Sequence, residues 1–92
     1  MITFDEAVKK ANEYLSNTEI PVVIASQGRF SEGCFYCFQS REYIEHGDPS
    51  AQLAGNAPFI IDKDNGELHV LGIAQPLMAY LQEYEEKKNN MN

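Results

Sequence analysis

The chain is poor in basic residues, and this shortage argues against two classes of partner. Seven lysines and arginines stand against fourteen aspartates and glutamates, so the formal net charge is -7. A field of this sign repels nucleic-acid phosphates and anionic lipid head groups, and we expect the chain to bind neither directly. A basic protein would be a natural partner, although an acidic surface can also serve solubility alone.

Long apolar runs are absent as well. No stretch approaches 18 consecutive apolar residues, so no transmembrane helix is predicted. The segment Met1–Glu6 has neither the basic nor the apolar region of a secretory signal peptide. Two cysteines without such a signal fit a reducing compartment, and we expect a cytoplasmic protein. The 92 residues predict a single domain over 1–88, with 89–92 as a frayed tail.

Cysteine and histidine are too sparse for a recognisable catalytic or metal site. Cys34 and Cys37 have the spacing of redox and zinc motifs, but residues three apart in a strand point to opposite faces. No second cysteine pair completes a zinc site, so we interpret one or both cysteines as small apolar packing residues. His46 and His69 belong to no Ser/His/Asp set by spacing, although a cluster formed in space stays open. We therefore predict no enzyme, no catalytic residue, no cofactor and no metal.

The segment Asp62–Gly66 resembles the start of a calcium-binding loop, but the resemblance fails in detail. The EF-hand pattern needs a ligand at its fifth position, glycine at its sixth and glutamate at its twelfth. Here the fifth residue is Gly66 and the twelfth is Ile73. A hairpin turn explains the segment better, because Asn65 and Gly66 tolerate the positive φ angles that such turns use.

Local patterns predict the secondary structure. Thr3 and Glu6 form a capping-box pair that begins a helix running to about Ser16. A second helix opens at Pro76. Strands are predicted where β-branched and aromatic residues cluster, at Val22–Phe30, at Cys34–Ser40 and on both sides of the Asn65–Gly66 turn, from Phe59 to Leu71.

This α-β-β-β-β-α order predicts an α+β fold. We expect a four-stranded antiparallel sheet made of two hairpins, with the two terminal helices packed on one face. The order of the hairpins in the sheet stays open. The connection Arg41–Gly55 is polar and long for a loop, so it is expected to serve function or packing. Asp48 and Pro49 could start a short helical turn within it.

Several blocks of the sequence form a recognisable set. They are Pro21–Ile24, Gly28–Ser31, Phe38–Glu42 and above all Ala54–Lys63 with Gly66 and Glu67. Together these blocks resemble the immunity protein 35 family. The likeness runs in order from about Ile2 to Tyr84. It implies a small bacterial protein that binds and neutralises a cognate polymorphic toxin domain. Proteins of this kind have also been regarded as heat-stable and chaperone-like, which is the alternative function. The family has no catalytic motif to transfer.

Acidic side chains are the expected partner-binding residues. If the toxin is a nuclease, its cleft should be basic, and an acidic inhibitor would mimic the phosphate backbone. The first candidates lie in the connection, and two weaker ones lie in the hairpin turn and the last helix: Glu42, Glu45, Asp48, Asp64 and Glu83. Such runs are also typical of solvated faces.

Overall fold

The computed structural model describes residues 1–53 and 56–90. The predicted order α-β-β-β-β-α is confirmed, with one short helix and one 3-10 turn inserted between the second and third strands. The elements are α1 (Phe4–Leu15), β1 (Val22–Phe30), β2 (Gly33–Ser40), α2 (Arg41–His46), the 3-10 turn (Pro49–Ala51), β3 (Phe59–Asp62), β4 (Leu68–Val70) and α3 (Leu77–Asn89).

The four strands form one antiparallel sheet in the order β1-β2-β3-β4. The two hairpins therefore meet through β2 and β3, in a register that pairs Tyr36 with Phe59 and Gly33 with Asp62. A bulge shifts the β1–β2 register between Ile24 and Ser26. The order of the hairpins could not be predicted from the sequence. The observed register joins them through β2 and β3, so β1 and β4 are the two edge strands.

Helix α1 covers one face of the sheet. Its capping box is present, since the Glu6 N–H donates to Thr3 Oγ1 at 3.1 Å and the Thr3 N–H donates to Glu6 Oε1 at 3.2 Å. The alanines at 7 and 11 let the helix approach closely. The core on this face joins three helix residues to four strand residues: Ala7, Ala11, Leu15, Cys34, Tyr36, Phe59 and Ile61.

Helix α3 lies on the opposite face, whereas the expectation was a single covered face. Phe59 and Ile61 join the α1 core, so by strand alternation Ile60 and Asp62 point the other way. Asp62 is bound there by two α3 side chains. All four β3 residues are buried. A strand covered on both faces reads as a continuous apolar run rather than an alternating one, and Phe59–Ile61 has that form.

The predicted hairpin turn between β3 and β4 is confirmed. Gly66 has φ 72°, and its N–H donates to the carbonyl oxygen of Asp62 at 2.8 Å. The Asp62 carboxylate also accepts the Asp64 N–H at 2.8 Å, and the Asn65 side chain accepts the Glu67 N–H at the same distance. No non-glycine residue in the described ranges has a positive φ, so Gly66 alone supplies that geometry here.

The connection between the hairpins is more ordered than the sequence indicated. Helix α2 was not predicted; its first turn is capped by Ser40 Oγ, which accepts the Tyr43 N–H at 3.0 Å, and it ends at Gly47 with φ 66°. The turn expected at Asp48 and Pro49 is confirmed as the 3-10 turn. Ala54 and Gly55 lie outside the described residues. So do Met91 and Asn92 of the expected tail, while α3 continues through Asn89.

Candidate functional site

One carboxylate is buried beneath α3 and organises a polar cluster. Asp62 has no exposed surface. Lys88 Nζ donates to its two carboxylate oxygens at 2.9 and 2.8 Å, and Tyr84 donates its hydroxyl proton to it. The same ammonium group lies 2.7 Å from Asp64 Oδ2 and 3.0 Å from Glu32 Oε1. These five residues, which we call the Lys88 cluster, tie α3 to the turns of both hairpins.

The electrostatics of the Lys88 cluster favour a single protonation state. Burial by itself would raise the pKa of Asp62, but hydrogen bonds from Lys88, Tyr84 and the Asp64 N–H outweigh it and lower the pKa to about 2. Burial lowers the pKa of Lys88, yet the three carboxylates around it raise that pKa overall. Burial and the neighbouring Asp62 raise the pKa of Tyr84. The lysine and tyrosine therefore stay protonated and Asp62 stays ionised near neutral pH.

This arrangement suits attachment rather than proton transfer. A general base needs a free lone pair and a pKa near the working pH, and the Asp62 carboxylate is saturated by donors and ionised far below that range. Lys88 is protonated and therefore carries no lone pair for nucleophilic attack. The contacts of the Lys88 cluster hold the helix on the sheet.

A groove lies beside the cluster, between β4 and α3. It has a volume of about 1010 Å³. The His69 ring lies against the Tyr84 ring with centroids 5.4 Å apart, and His69 Nε2 is 3.3 Å from Glu67 Oε2. By strand alternation the side chain of His69 points away from those of Leu68 and Val70, and it meets α3. Within the described part of the chain, no three His, Cys, Asp or Glu side chains group closely enough to hold a metal ion.

A second depression lies at the other end of the sheet, around α2. Glu42 and Glu45 line it and are exposed, and Ile20, Pro21 and Leu53 contribute apolar surface. In the described ranges the side chain of neither glutamate makes a hydrogen bond or an ion pair. This is the part of the predicted acidic surface that carries no structural contact.

The other three predicted carboxylates each have a local partner. Asp48 accepts the N–H and hydroxyl of Ser50 at 3.0 and 2.8 Å, and these bonds lower the pKa of Asp48. Asp64 binds Lys88, and Glu83 accepts the Gln75 amide at 3.0 Å. The structure therefore does not gather the five predicted residues into one patch. Glu42, Glu45 and Asp48 lie in the connection, whereas Asp64 and Glu83 accompany α3.

The contacts of Lys88 with Asp62, Asp64 and Glu32 were not predicted from the sequence. The available signal was Asp62 itself, a charge that directly follows the buried run Phe59–Ile61. A carboxylate at such a position needs a cation or several donors. No helix in the described ranges is long and apolar enough to cross a membrane.

Comparison with known proteins identifies the family. A family model described as immunity protein 35 matches residues 5–87. The chain belongs to the immunity protein 35 family. YrhB of Escherichia coli strain K12, described as an uncharacterized protein, is 60% identical over 88 residues, which are 96% of this chain and 94% of that protein. No solved structure matches this immunity protein 35 chain. The resemblance found in the sequence is thus confirmed.

Proposed function

We propose that this chain is a non-catalytic immunity protein that binds a cognate toxin domain and blocks its active site or the access of its substrate. The observation that carries the proposal is the match of the immunity protein 35 model across residues 5–87. The Lys88 cluster supports it, because its ionisable groups are committed to holding α3. The free thiols of Cys34 and Cys37 are compatible with action in the reducing cytoplasm.

The acidic surface on α2 is the proposed contact with the toxin. Glu42 and Glu45 are exposed beside apolar Ile20 and Leu53, a combination of charge and apolar area that fits a protein interface. A toxin whose cleft binds a polyanion has a basic rim. Carboxylates facing such a rim accelerate encounter and fix orientation more than they raise affinity.

Co-expression with the toxin-like product of a neighbouring gene tests the proposal. We expect a stable one-to-one complex on size-exclusion chromatography and survival of cells that otherwise die when the toxin is induced. An inactive toxin variant provides the control for expression burden. If no complex forms and the cells are not protected, the proposal is wrong.

A holdase is the second candidate, and a specific observation favours it. Several large apolar side chains are at least half exposed, and three of them lie from β4 to the first turn of α3: Val70, Ile73 and Met78. Exposed apolar surface of this kind can hold unfolded clients. A holdase would suppress heat-induced light scattering of several unrelated proteins at stoichiometric amounts. Binding confined to one folded partner would argue against it.

A further inference from the structure

The edge strand β4 has unused backbone groups. The Asp62 N–H donates to the Glu67 carbonyl at 2.9 Å, and the Leu71 N–H donates to the Pro58 carbonyl at 2.8 Å. In an antiparallel ladder the bonding direction alternates from residue to residue. Residues 67, 69 and 71 therefore bond toward β3. The N–H and C=O groups of Leu68 and Val70 point away from the sheet, where a further strand could pair with them.

Helix α3 turns this edge into a slot. Near one end of the slot, Tyr80 accepts the Ala74 N–H at 2.9 Å and lies against Gly72. Near the other end, Lys88 holds the helix to the hairpin turns. Between these attachments the groove is lined by β4 on one side and by α3 on the other. Both walls are fixed by contacts within the chain.

The charge of the slot selects a basic occupant. Glu67, Glu83 and Glu86 line it. Lys87 lines it too, whereas Lys88 is already paired with three carboxylates. The net charge of the whole chain, -7, has the same sign as this excess of carboxylates. A segment that carries Lys or Arg would therefore be attracted, and an acidic one repelled.

We propose that this slot binds an extended, basic segment of a protein partner as a fifth strand of the sheet. The main chain of the segment pairs with Leu68 and Val70. Its side chains on the α3 side contact the rings of His69 and Tyr84, and its cations reach the carboxylates along the slot. Such strand addition draws affinity from main-chain hydrogen bonds and specificity from alternate side chains. The inference rests on the proposed function only in requiring that the partner be a protein.

The opposite edge is a weaker site for the same occupant. Strand β1 is longer, with nine residues, but its ladder is interrupted by the bulge between Ile24 and Ser26. Bulges are one of the devices that keep an edge from pairing with other chains. The only charge within β1 is Arg29, which lies over the Phe4 ring at 4.6 Å. A basic segment would meet no carboxylate of that strand.

Titration of the ¹⁵N-labelled full chain with a synthetic peptide tests the proposal. The probe is a nine-residue peptide in which valine and lysine alternate, and the matched probe has glutamate in place of lysine. We expect chemical-shift changes centred on β4 and α3, slowed solvent exchange of the Leu68 and Val70 amides, and at least tenfold weaker binding of the acidic peptide. Shifts centred on β1 or α2, equal binding of both peptides, or no binding at millimolar peptide would overturn it.

Charge-reversed variants locate the binding. The double variant Glu83→Arg and Glu86→Arg should bind the basic peptide at least tenfold more weakly. Glu13→Arg with Glu19→Arg makes the same change in net charge outside the slot and should alter binding less than twofold. Equal effects of the two pairs would contradict the proposal. Val70→Pro removes one outward donor without removing a bond to β3, and it should also weaken binding tenfold in a variant whose circular dichroism is unchanged.

The peptide experiment separates this inference from the immunity function. If the toxin complex forms but the basic peptide does not bind β4, strand addition alone is overturned. Peptide binding at β4 in a chain that protects against no toxin and forms no toxin complex overturns the immunity function alone.

Discussion

Lys88 is the residue on which the attachment of α3 depends. Its ammonium group is the common neighbour of Asp62, at the end of β3, and of Asp64 and Glu32 in the turns of the two hairpins. The side chain of Asp62 is completely buried, so the loss of its cation cannot be compensated by water without movement of the helix. The contribution of Lys88 is therefore much larger than that of an exposed ion pair.

The variant Lys88→Met should destabilise the fold by about 3 kcal/mol, because breaking a buried ion pair leaves an uncompensated charge. Urea unfolding followed by circular dichroism measures the change. Lys87→Met is the matched control; that side chain is exposed, and its removal should change stability by less than about 0.5 kcal/mol. Equal effects of the two variants would mean that Asp62 is hydrated in solution.

Asp62 also predicts a specific acid sensitivity. Its pKa in the folded state is about 2, below the ordinary value of about 3.9. A depressed pKa stabilises the fold above the unfolded value, and this contribution, about 2 kcal/mol, is lost as the pH falls from about 4 toward 2. The variant Asp62→Asn should lack this part of the acid transition. The measurement is the urea midpoint of the unsubstituted protein and of Asp62→Asn at several pH values. If the prediction is wrong, the two plots of midpoint against pH will run parallel.

At the scale of elements, helix starts that depend on neighbouring residues could be predicted from the sequence. The packing of a helix that depends on contacts between distant residues could not. Thr3 and Glu6 are three positions apart and correctly placed the start of α1. Ser40 and Gly47 flank α2 with a cap and a left-handed terminus, but six residues carry too little apolar periodicity to reveal a helix. The face chosen by α3 depends on Asp62 and Lys88, which are 26 positions apart, and no spacing rule reaches that far.

Gly33 provides a test of how β2 and β3 are joined. A Cβ at this position would clash with the carbonyl oxygen of Ile61, which is backbone of the neighbouring strand and has little freedom to move. We expect Gly33→Ala to destabilise the fold by about 3 kcal/mol, at the upper end of what overpacking costs. Thermal and urea unfolding measure it.

Gly47 is the matched control for Gly33. It has φ 66° and open space around its Cβ position, so Gly47→Ala should cost only about 1 kcal/mol, from backbone conformation alone. A Gly33→Ala protein as stable as Gly47→Ala would show that the β2–β3 register differs from the one described.

At the scale of the whole molecule, the sheet order separates the two candidate surfaces. Helix α2 contacts β1 and β2, whereas the slot lies along β4 at the other edge. One surface can therefore be altered without touching the other. The acidic composition predicted a protein partner in general terms, but the slot could not be predicted, because the strand order that makes β4 an edge was open.

The α2 surface should act mainly on the rate of toxin association. Reversing both charges, with Glu42→Lys and Glu45→Lys, should slow association about tenfold and leave dissociation nearly unchanged, because exposed charges steer encounter. Stopped-flow or surface-plasmon measurements at low and high salt should show that the difference in association rate between the variant and the unsubstituted protein decreases as salt is added. A change confined to dissociation would place these glutamates inside a desolvated contact instead.

The unequal covering of the two sheet faces has a consequence for amide hydrogen exchange. Helix α1 buries three residues, whereas α3 buries only Leu81 and otherwise depends on polar contacts and on the ring contacts of Tyr84. Elements with few buried apolar contacts open at free energies well below that of global unfolding. The amides of α3 should therefore exchange through a partial opening that leaves α1 and the sheet protected. In that open state Ile60 loses its cover, so the chain would briefly expose an apolar face while still folded.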